Sequence, residues 1–443
     1  MSGILFDCDY FCRCLFKELN KLSIRYCVLR NYDKLPDSSG GSDLDIWVHY
    51  DDVNELIRTI KEVSCVNNYS LVSFIRCKYS PKLCYLSENG GIQIDLFVGD
   101  ISSKYGKMIS QSVIINHIID YHGLSVIDND FANLIAYIKE IVNNKKCSEK
   151  YITPLIVNSS IYSLNYLFSN LDLFTDSFIY YLFEYIQSGT YVNSRDFFSQ
   201  KKSAFKHGRR HFGNIWSIFS RFFITPGYVI AVIGTDGSGK STIINGITPI
   251  LNEAFHNGVY YHHLRPHLLS DLGVLIGKRE NSTQDSVCSN PHSAEPSGFI
   301  GSLARWSYYL IDYSLGYLRK IWLPKHTKSY VHIFDRYYYD YYIDPYRLRV
   351  KLPKWIIRLG ELLVPSPDII LCLGGNSNII YERKPETSLE EVTRQNETLR
   401  HFCNKRKNAF WIDTTQDIDK SVKDTMMAIQ KMMAKRFANV TVR

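Results

Sequence analysis

The sequence predicts an α/β protein: an N-terminal α/β module, a helical segment, and a C-terminal α/β module with a parallel sheet. Three observations carry that expectation. An apolar, β-branched run from Tyr228 to Ile233 leads into Gly234-Thr235-Asp236-Gly237-Ser238-Gly239-Lys240-Ser241-Thr242, and Ile243 to Leu251 can then open a helix. Strand-like runs alternate with helical patterns through the last half of the chain, as in a parallel sheet covered on both faces. Nearer the N-terminus, two strand-like runs carry the carboxylates Asp43, Asp45 and Asp95. The expected divisions are 1–128, 129–226 (helical) and 227–443.

In the first module, Tyr10 to Leu22 has helical spacing, Tyr26 to Leu29 and Leu44 to Val48 read as strands, and Val53 to Val63 as a helix. Gly91 to Val98 follows a Gly-Gly turn and reads as another strand. Phe131 to Ile186 carries long helical patterns rich in Tyr, Leu and Ile. Residues 201–223 mix Lys201, Lys202, Lys206, Arg209 and Arg210 with interleaved aromatics. That stretch has three readings: a helix packing its aromatics on the C-terminal module, an amphipathic helix on an anionic membrane surface, or a nucleic-acid contact, for which a basic patch alone is weak ground. In the last module Val259–Leu264, Tyr330–Phe334, Asp368–Leu373 and Ala409–Ile412 read as strands. Phe299–Trp322 reads as a long aromatic helix, and 271–297 as a polar loop.

Composition bounds the rest. A chain of 443 residues with 45% hydrophobic and 14% aromatic content has room for two or three real cores. The eleven cysteines lack regular spacing and read as free thiols of a reducing compartment. No signal core and no run of about 18 apolar residues is seen, so the expected location is the cytoplasm, peripheral to the inner membrane face if 201–223 docks there.

The glycine-rich run carries chemistry. Strand, loop and helix N-terminus form a phosphate cradle in which backbone N–H groups and the helix dipole face the anion. Gly234 to Thr242 would hold ATP, with Lys240 neutralising the β/γ-phosphates and the Ser241 hydroxyl binding Mg²⁺. Asp335, Arg336, Arg265 and this loop all lie just past strand ends, where ligands gather in such sheets, so they are expected to converge.

On these residues the last half of the chain resembles the thymidylate kinase-like branch of P-loop nucleoside-monophosphate kinases. The likeness rests on Gly234-Thr-Asp-Gly-Ser-Gly-Lys-Ser-Thr242, on Phe334-Asp-Arg-Tyr337, and on Tyr381-Glu-Arg-Lys-Pro385 with the residues after it, which are similar to that family's mobile lid. The resemblance implies that Arg336 holds the acceptor, that Asp335 acts near Mg²⁺ or the acceptor, and that Arg383 and Lys384 stabilise charge during transfer, with Arg394 a further lid candidate. A solvated helix end remains the plain alternative for Arg383 and Lys384. Departures fall on the acceptor side. The family's Arg-Glu-Pro is here Arg265-Pro266-His267, and Asp335-Arg336 continues into Tyr337-Tyr-Tyr-Asp340-Tyr-Tyr-Ile-Asp344-Pro345. A phosphate acceptor needs clamps, whereas a hydroxyl acceptor gains from a carboxylate that takes its proton, so Asp335, Asp340 and Asp344 join the catalytic candidates. The tyrosines are either sugar-stacking faces or packing. The run Asp335–Pro345 after a long aromatic helix resembles the thymidylate kinase-like proteins of bacterial surface-polysaccharide gene clusters, which implies a glycan or glycolipid acceptor.

Gly40 to Val48 and Ile92 to Val98 resemble the nucleotidyltransferase fold. Asp43 and Asp45, two apart on one strand, share a face, and with Asp95 they could hold Mg²⁺. The Gly-Ser of active members is expected a dozen residues earlier, where Arg30-Asn31 stands. A live metal-dependent site, a retained fold used for binding, and coincidence all stay open.

Overall fold

The computed structural model describes residues 7–76, 80–103, 105–144, 219–269 and 298–440, with 153, 155, 166, 169–171 and 173–181. The basic part of 201–223, up to residue 218, and the expected loop at 271–297 lie outside the described residues.

Helix α1 (Asp7–Lys21) leads into β1 (Tyr26–Val28), β2 (Leu44–Val48), α2 (Val53–Val66), β3 (Ser70–Ile75), β4 (Lys82–Leu86) and β5 (Gly91–Val98). A small hairpin β6–β7 (Ile101–Ser103, Gly106–Ile109), α3 (Gln111–Asn116), β8 (Ile118–Tyr121), β9 (Leu124–Ile127) and α4 (Asn129–Asn144) follow. The strands form a seven-stranded mixed sheet, in the order β3-β4-β5-β2-β1-β9-β8. β2 and β5 run parallel, with Asp45 opposite Asp95. Alternation on these two strands sorts their side chains. Ile46, Val48, Ile94 and Leu96 join one core with α1 and α2, while Trp47 and Phe97 face a second core built on Phe131, Leu134 and Ile138 of α4. By the same alternation Asp45 and Asp95 share the α4 side.

The last module begins with β10 (Tyr228–Gly234), α5 (Lys240–Ala254) and β11 (Val259–His263). Next come α6 (Phe299–Tyr317), extended by a π-helical stretch Leu318–Trp322 into α7 (Leu323–Thr327), then β12 (Val331–Asp335), α8 (Asp340–Ile343) and α9 (Lys354–Glu361). β13 (Ile369–Gly374), α10 (Ser377–Arg383), α11 (Leu389–Asn404), β14 (Ala409–Asp413) and α12 (Ile418–Phe437) complete it. Its five strands are all parallel, in the order β11-β12-β10-β13-β14, so β10 sits centrally and delivers the glycine loop at the C-terminal edge. Both faces of β10 are buried: Tyr228, Ile230 and Val232 on one side, and Val229, Ala231 and Ile233 on the other.

One core continues from module to module. Ile247 and Leu251 of α5 and Met426, Ile429 and Met433 of α12 lie in the same cluster as Val72, Leu86 and Ile94. Polar contacts lock the seam. The Tyr228 hydroxyl donates to Val72 O at 2.5 Å, the Ser73 and Ser329 hydroxyls bond at 2.7 Å, and Glu253 accepts from Gly91 N at 3.1 Å. A side chain at Gly91 would meet Ala254 N at 2.6 Å, so glycine is what lets β5 lie against α5.

Candidate functional site

The loop after β10 takes its shape from two glycines. Gly237 (φ +81) and Gly239 (φ +76) are left-handed, and Gly239 is the N-cap of α5. At Gly237 a Cβ would meet Ile380 O at 2.6 Å, and at Gly234 it would meet the Ser238 hydroxyl at 2.5 Å. The loop is thus clasped between its own side chains and α10. Lys240 folds back, donating from Nζ to Gly234 O at 3.0 Å and Thr235 O at 2.7 Å. Burial, and then Arg336, push its pKa down to about 8 against the pull of Asp236 and Asp335.

Arg336 anchors the other wall. It follows β12 with φ +71, a conformation that costs a non-glycine residue on the order of 1 kcal/mol or more, and its N donates to Val232 O at 2.9 Å. Its guanidinium donates to Asp340 at 2.8 Å and to Asp236 at 2.5 Å, and Arg347 also binds Asp236. Burial opposes the charge on Asp236, but Arg336, Lys240 and Arg347 outweigh it and hold the carboxyl well below the ordinary range. Asp335, the last residue of β12, accepts from the Tyr261 hydroxyl at 3.2 Å and lies 3.7 Å from His263 Nδ1. Burial opposes its charge too, yet His263 and Lys240 hold its pKa down. The second oxygen of Asp335, and one of Asp340, are buried without a protein partner.

The expected residues do not all converge. Asp236, Lys240, Asp335, Arg336 and Asp340 do. Arg265 turns away into a fully buried pair with Asp312, at 2.5 Å, and lies under the Tyr309 ring. Asp344 accepts from Arg347 N at 3.2 Å and so shapes the turn that presents Arg347. Arg383 donates to Thr414 O at 2.9 Å, while Lys384 pairs with Glu386 at 3.0 Å and packs beside Gly237. Arg394 donates to Ile343 O at 3.0 Å. The tyrosine run is packing: Tyr337, Tyr338, Tyr339 and Tyr341 are buried, and the Tyr337 and Tyr338 hydroxyls bond Pro365 O and Ile357 O. Sequence reasoning gave no role to Arg347, Tyr261 or His263. For the last two the signal was available, because both belong to the strand that ends beside Asp335.

Across the seam, ligand oxygens of Asp43, Asp45 and Asp95 lie within 4.8 Å of one another, and all three residues are buried. Cations meet them. Arg30 pairs with Asp45 and, at 3.3 Å, with Asp43, and Lys82 pairs with Asp95 at 2.6 Å. Gln93 donates to the other Asp95 oxygen at 2.9 Å. Burial raises the Asp95 pKa, opposed by Lys82 and reinforced by Asp45. His256, just past α5, brings Nδ1 to 3.9 Å from Asp43. One Asp45 oxygen is buried without a partner. An all-oxygen donor set with an unsatisfied acceptor fits Mg²⁺, although Arg30 and Lys82 already offset two of the three carboxylate charges. Near the glycine loop, the unpartnered Asp335 oxygen and the Ser241 hydroxyl at the start of α5 are donors of the same hard type.

Fold and site together define a mixed α/β chain in which a five-stranded parallel sheet, with a glycine-rich loop at the end of its central strand, is joined to an N-terminal α/β module. No protein-family model and no curated protein matches the chain. Among solved structures it is similar to thymidylate kinase from Ehrlichia chaffeensis, at 16% identity and a TM-score of 0.33, over 46% of this chain and 100% of that one. So slight a likeness lends no residue a role.

Proposed function

We propose that this chain is an ATP- and Mg²⁺-dependent phosphotransferase that passes the γ-phosphoryl group to a hydroxyl of a surface-polysaccharide or glycolipid sugar. The observation that carries the reading is Lys240 held at a helix N-terminus among left-handed glycines, with a carboxylate at the end of the neighbouring strand and an arginine just past it. Gly234 to Thr242 hold the triphosphate. Ser241 is the residue suited to Mg²⁺, which when bound would neutralise phosphate charge.

The hydroxyl acceptor is supported by how the arginines are spent. Arg336 is neutralised by Asp236 and Asp340, and Arg265 by Asp312. An acceptor phosphate, itself a dianion, needs cations that are not already matched. A hydroxyl needs an acceptor for its proton, and Asp335 beside His263 supplies one. In the transfer the acceptor oxygen bonds to the γ-phosphorus, the bond to the ADP oxygen breaks, and the hydroxyl proton passes to Asp335. Lys240, Arg383 and Lys384 balance the equatorial charge, while Asp236 and Asp340 hold Arg336 in place and Asp344 positions Arg347. The glycan class rests on the resemblance of Asp335 to Pro345 described above, and the protein acts on the cytoplasmic side of the membrane. Asp43, Asp45 and Asp95 form a second divalent-cation site, in keeping with the nucleotidyltransferase likeness.

The test is transfer of label from γ-labelled ATP, offering thymidine monophosphate and glycan extracted from a strain lacking this protein. Label on the glycan, abolished by Lys240→Ala, is the expected result. Label on the nucleotide overturns the acceptor and makes the chain a nucleoside-monophosphate kinase.

A further inference from the structure

The long helix α6 and its π-helical extension bury Tyr313 and Tyr317 against the parallel sheet, but their opposite side is also apolar. Ile311, Leu315, Leu318 and Trp322, spaced four, three and four apart, form an exposed stripe in which Leu318 is 57% accessible. A second exposed set adjoins it. Leu359 in the last turn of α9 and Leu362 and Leu363 just after it form this set, with Leu362 80% accessible, and the Ser314 hydroxyl donates to Leu363 O at 3.3 Å. At the far end the Phe222 ring lies 5.3 Å from Trp322. Leucines in such number on one side are not explained by the sheet beneath, which is already covered.

Charge identifies the occupant. Residues 299–327 contain one acid, Asp312, and it is fully buried against Arg265. In 354–363 the one acid is Glu361, half-buried and bonded by Tyr342 and Arg406. The exposed charges of these two segments are all cations: Arg319, Lys354 and Arg358, with Lys320, whose ammonium is bonded to Pro266 O and His267 O. A second copy of the same face would set cation against cation in a two-fold interface. An anionic lipid surface is complementary on both counts, since it takes apolar side chains into the acyl boundary and cations at the headgroups. Trp322 and Trp355 belong at that boundary. No described helix is long and apolar enough to cross a membrane, so the contact is one of lying on the surface.

We infer that the face made by α6, its π-helical extension and α9 docks on an anionic bilayer. The inference uses different residues from the phosphotransferase reading and stands without it. It is tested with the full chain by co-sedimentation with vesicles of phosphatidylcholine alone and of phosphatidylcholine mixed with phosphatidylglycerol. Wild type is expected to pellet with the mixed vesicles, less so as salt rises, and the triple variant Leu315→Glu/Leu318→Glu/Leu362→Glu to lose roughly tenfold or more in partitioning. These side chains are exposed, so thermal unfolding of the variant is expected to match wild type. Should it not, tryptophan quenching of wild type by brominated lipid is decisive: quenching that Trp322→Phe/Trp355→Phe diminishes supports the face, and its absence overturns it. The inference is also overturned if wild type does not pellet, if the variant pellets equally, or if wild type forms a dimer that the variant abolishes.

Discussion

At the glycine loop one carboxylate, Asp236, lies between Arg336 and Arg347 with Lys240 close by; at the triad one guanidinium, Arg30, lies between Asp43 and Asp45 with Asp95 close by. The same ion pair is therefore embedded in opposite surroundings. Around Asp236 the cations Arg336, Arg347 and Lys240 are matched in number by Asp236, Asp335 and Asp340, and the N–H groups at the start of α5 are left facing out, so the ligand that fits is an anion. Around Arg30 three buried carboxylates on two adjacent parallel strands outnumber Arg30 and Lys82, and burial disfavours the charge of the nearby Lys139, so the ligand that fits is a cation. α5 joins the two. Lys240 opens it at the loop, and His256, just past its end, comes within 3.9 Å of Asp43. An ion pair in a buried site is weak evidence by itself, and it is the unmatched charge around the pair that indicates what will bind.

That contrast excludes Arg265, which belongs to neither site, and the strongest test is to remove it. Arg265→Leu leaves Asp312 buried without its partner and is expected to cost about 3–5 kcal/mol in denaturant unfolding. In protein that remains folded, nucleotide affinity should be unchanged. A loss of nucleotide binding without a loss of stability would return Arg265 to the substrate site.

Gly237→Ala sharpens the anion side. The new Cβ meets Ile380 O at 2.6 Å, and φ +81 is unfavourable for alanine, so the loop and α10 must part. A cost of about 1–2 kcal/mol is expected, read as weaker nucleotide binding by calorimetry, while cation binding at the triad stays as it was. Unaltered nucleotide affinity would show that α10 does not need to clasp the loop.

The smallest effect is on pH. Lys240 is depressed to about 8 from 10.5, so its charged form is penalised in the folded protein below about 8 and the penalty lifts as pH rises towards 10.5. Stability from this group therefore increases across that window. Triphosphate affinity should fall across the same window, because binding must then recover the proton, and calorimetry in buffers of different ionisation enthalpy would detect the uptake. A flat affinity profile from pH 7 to 10 would contradict Lys240 as the buried cation of the site.

Much of this was legible from sequence because local pattern decided it. The loop could be read from its glycines, and Asp43, Asp45 and Asp95 from two-residue alternation on strands. What was not legible depends on register and on packing between distant elements. Lys82 meets Asp95 because β4 pairs with β5 at that residue pair, and no local pattern specifies such a match. Arg265 stands just past a strand end, as expected, but Asp312 on α6 is near enough to claim it. The tyrosines after Arg336 alternate with nothing that separates a sugar platform from filler. Tertiary context decided for filler, placing Tyr313, Phe334 and Phe402 against them. β3, β4 and β6 to β9 were missed because no turn chemistry as plain as Gly90-Gly91 marks them.

The most direct test of the two-site account is equilibrium binding of a triphosphate nucleotide with Mg²⁺ to wild type, Lys240→Ala and Asp45→Asn, measured by calorimetry. The account predicts a loss of roughly ten- to a hundredfold in Lys240→Ala, the scale of a charged hydrogen bond, and wild-type affinity at the glycine loop in Asp45→Asn. Equal losses in both variants, or none in Lys240→Ala, would contradict it.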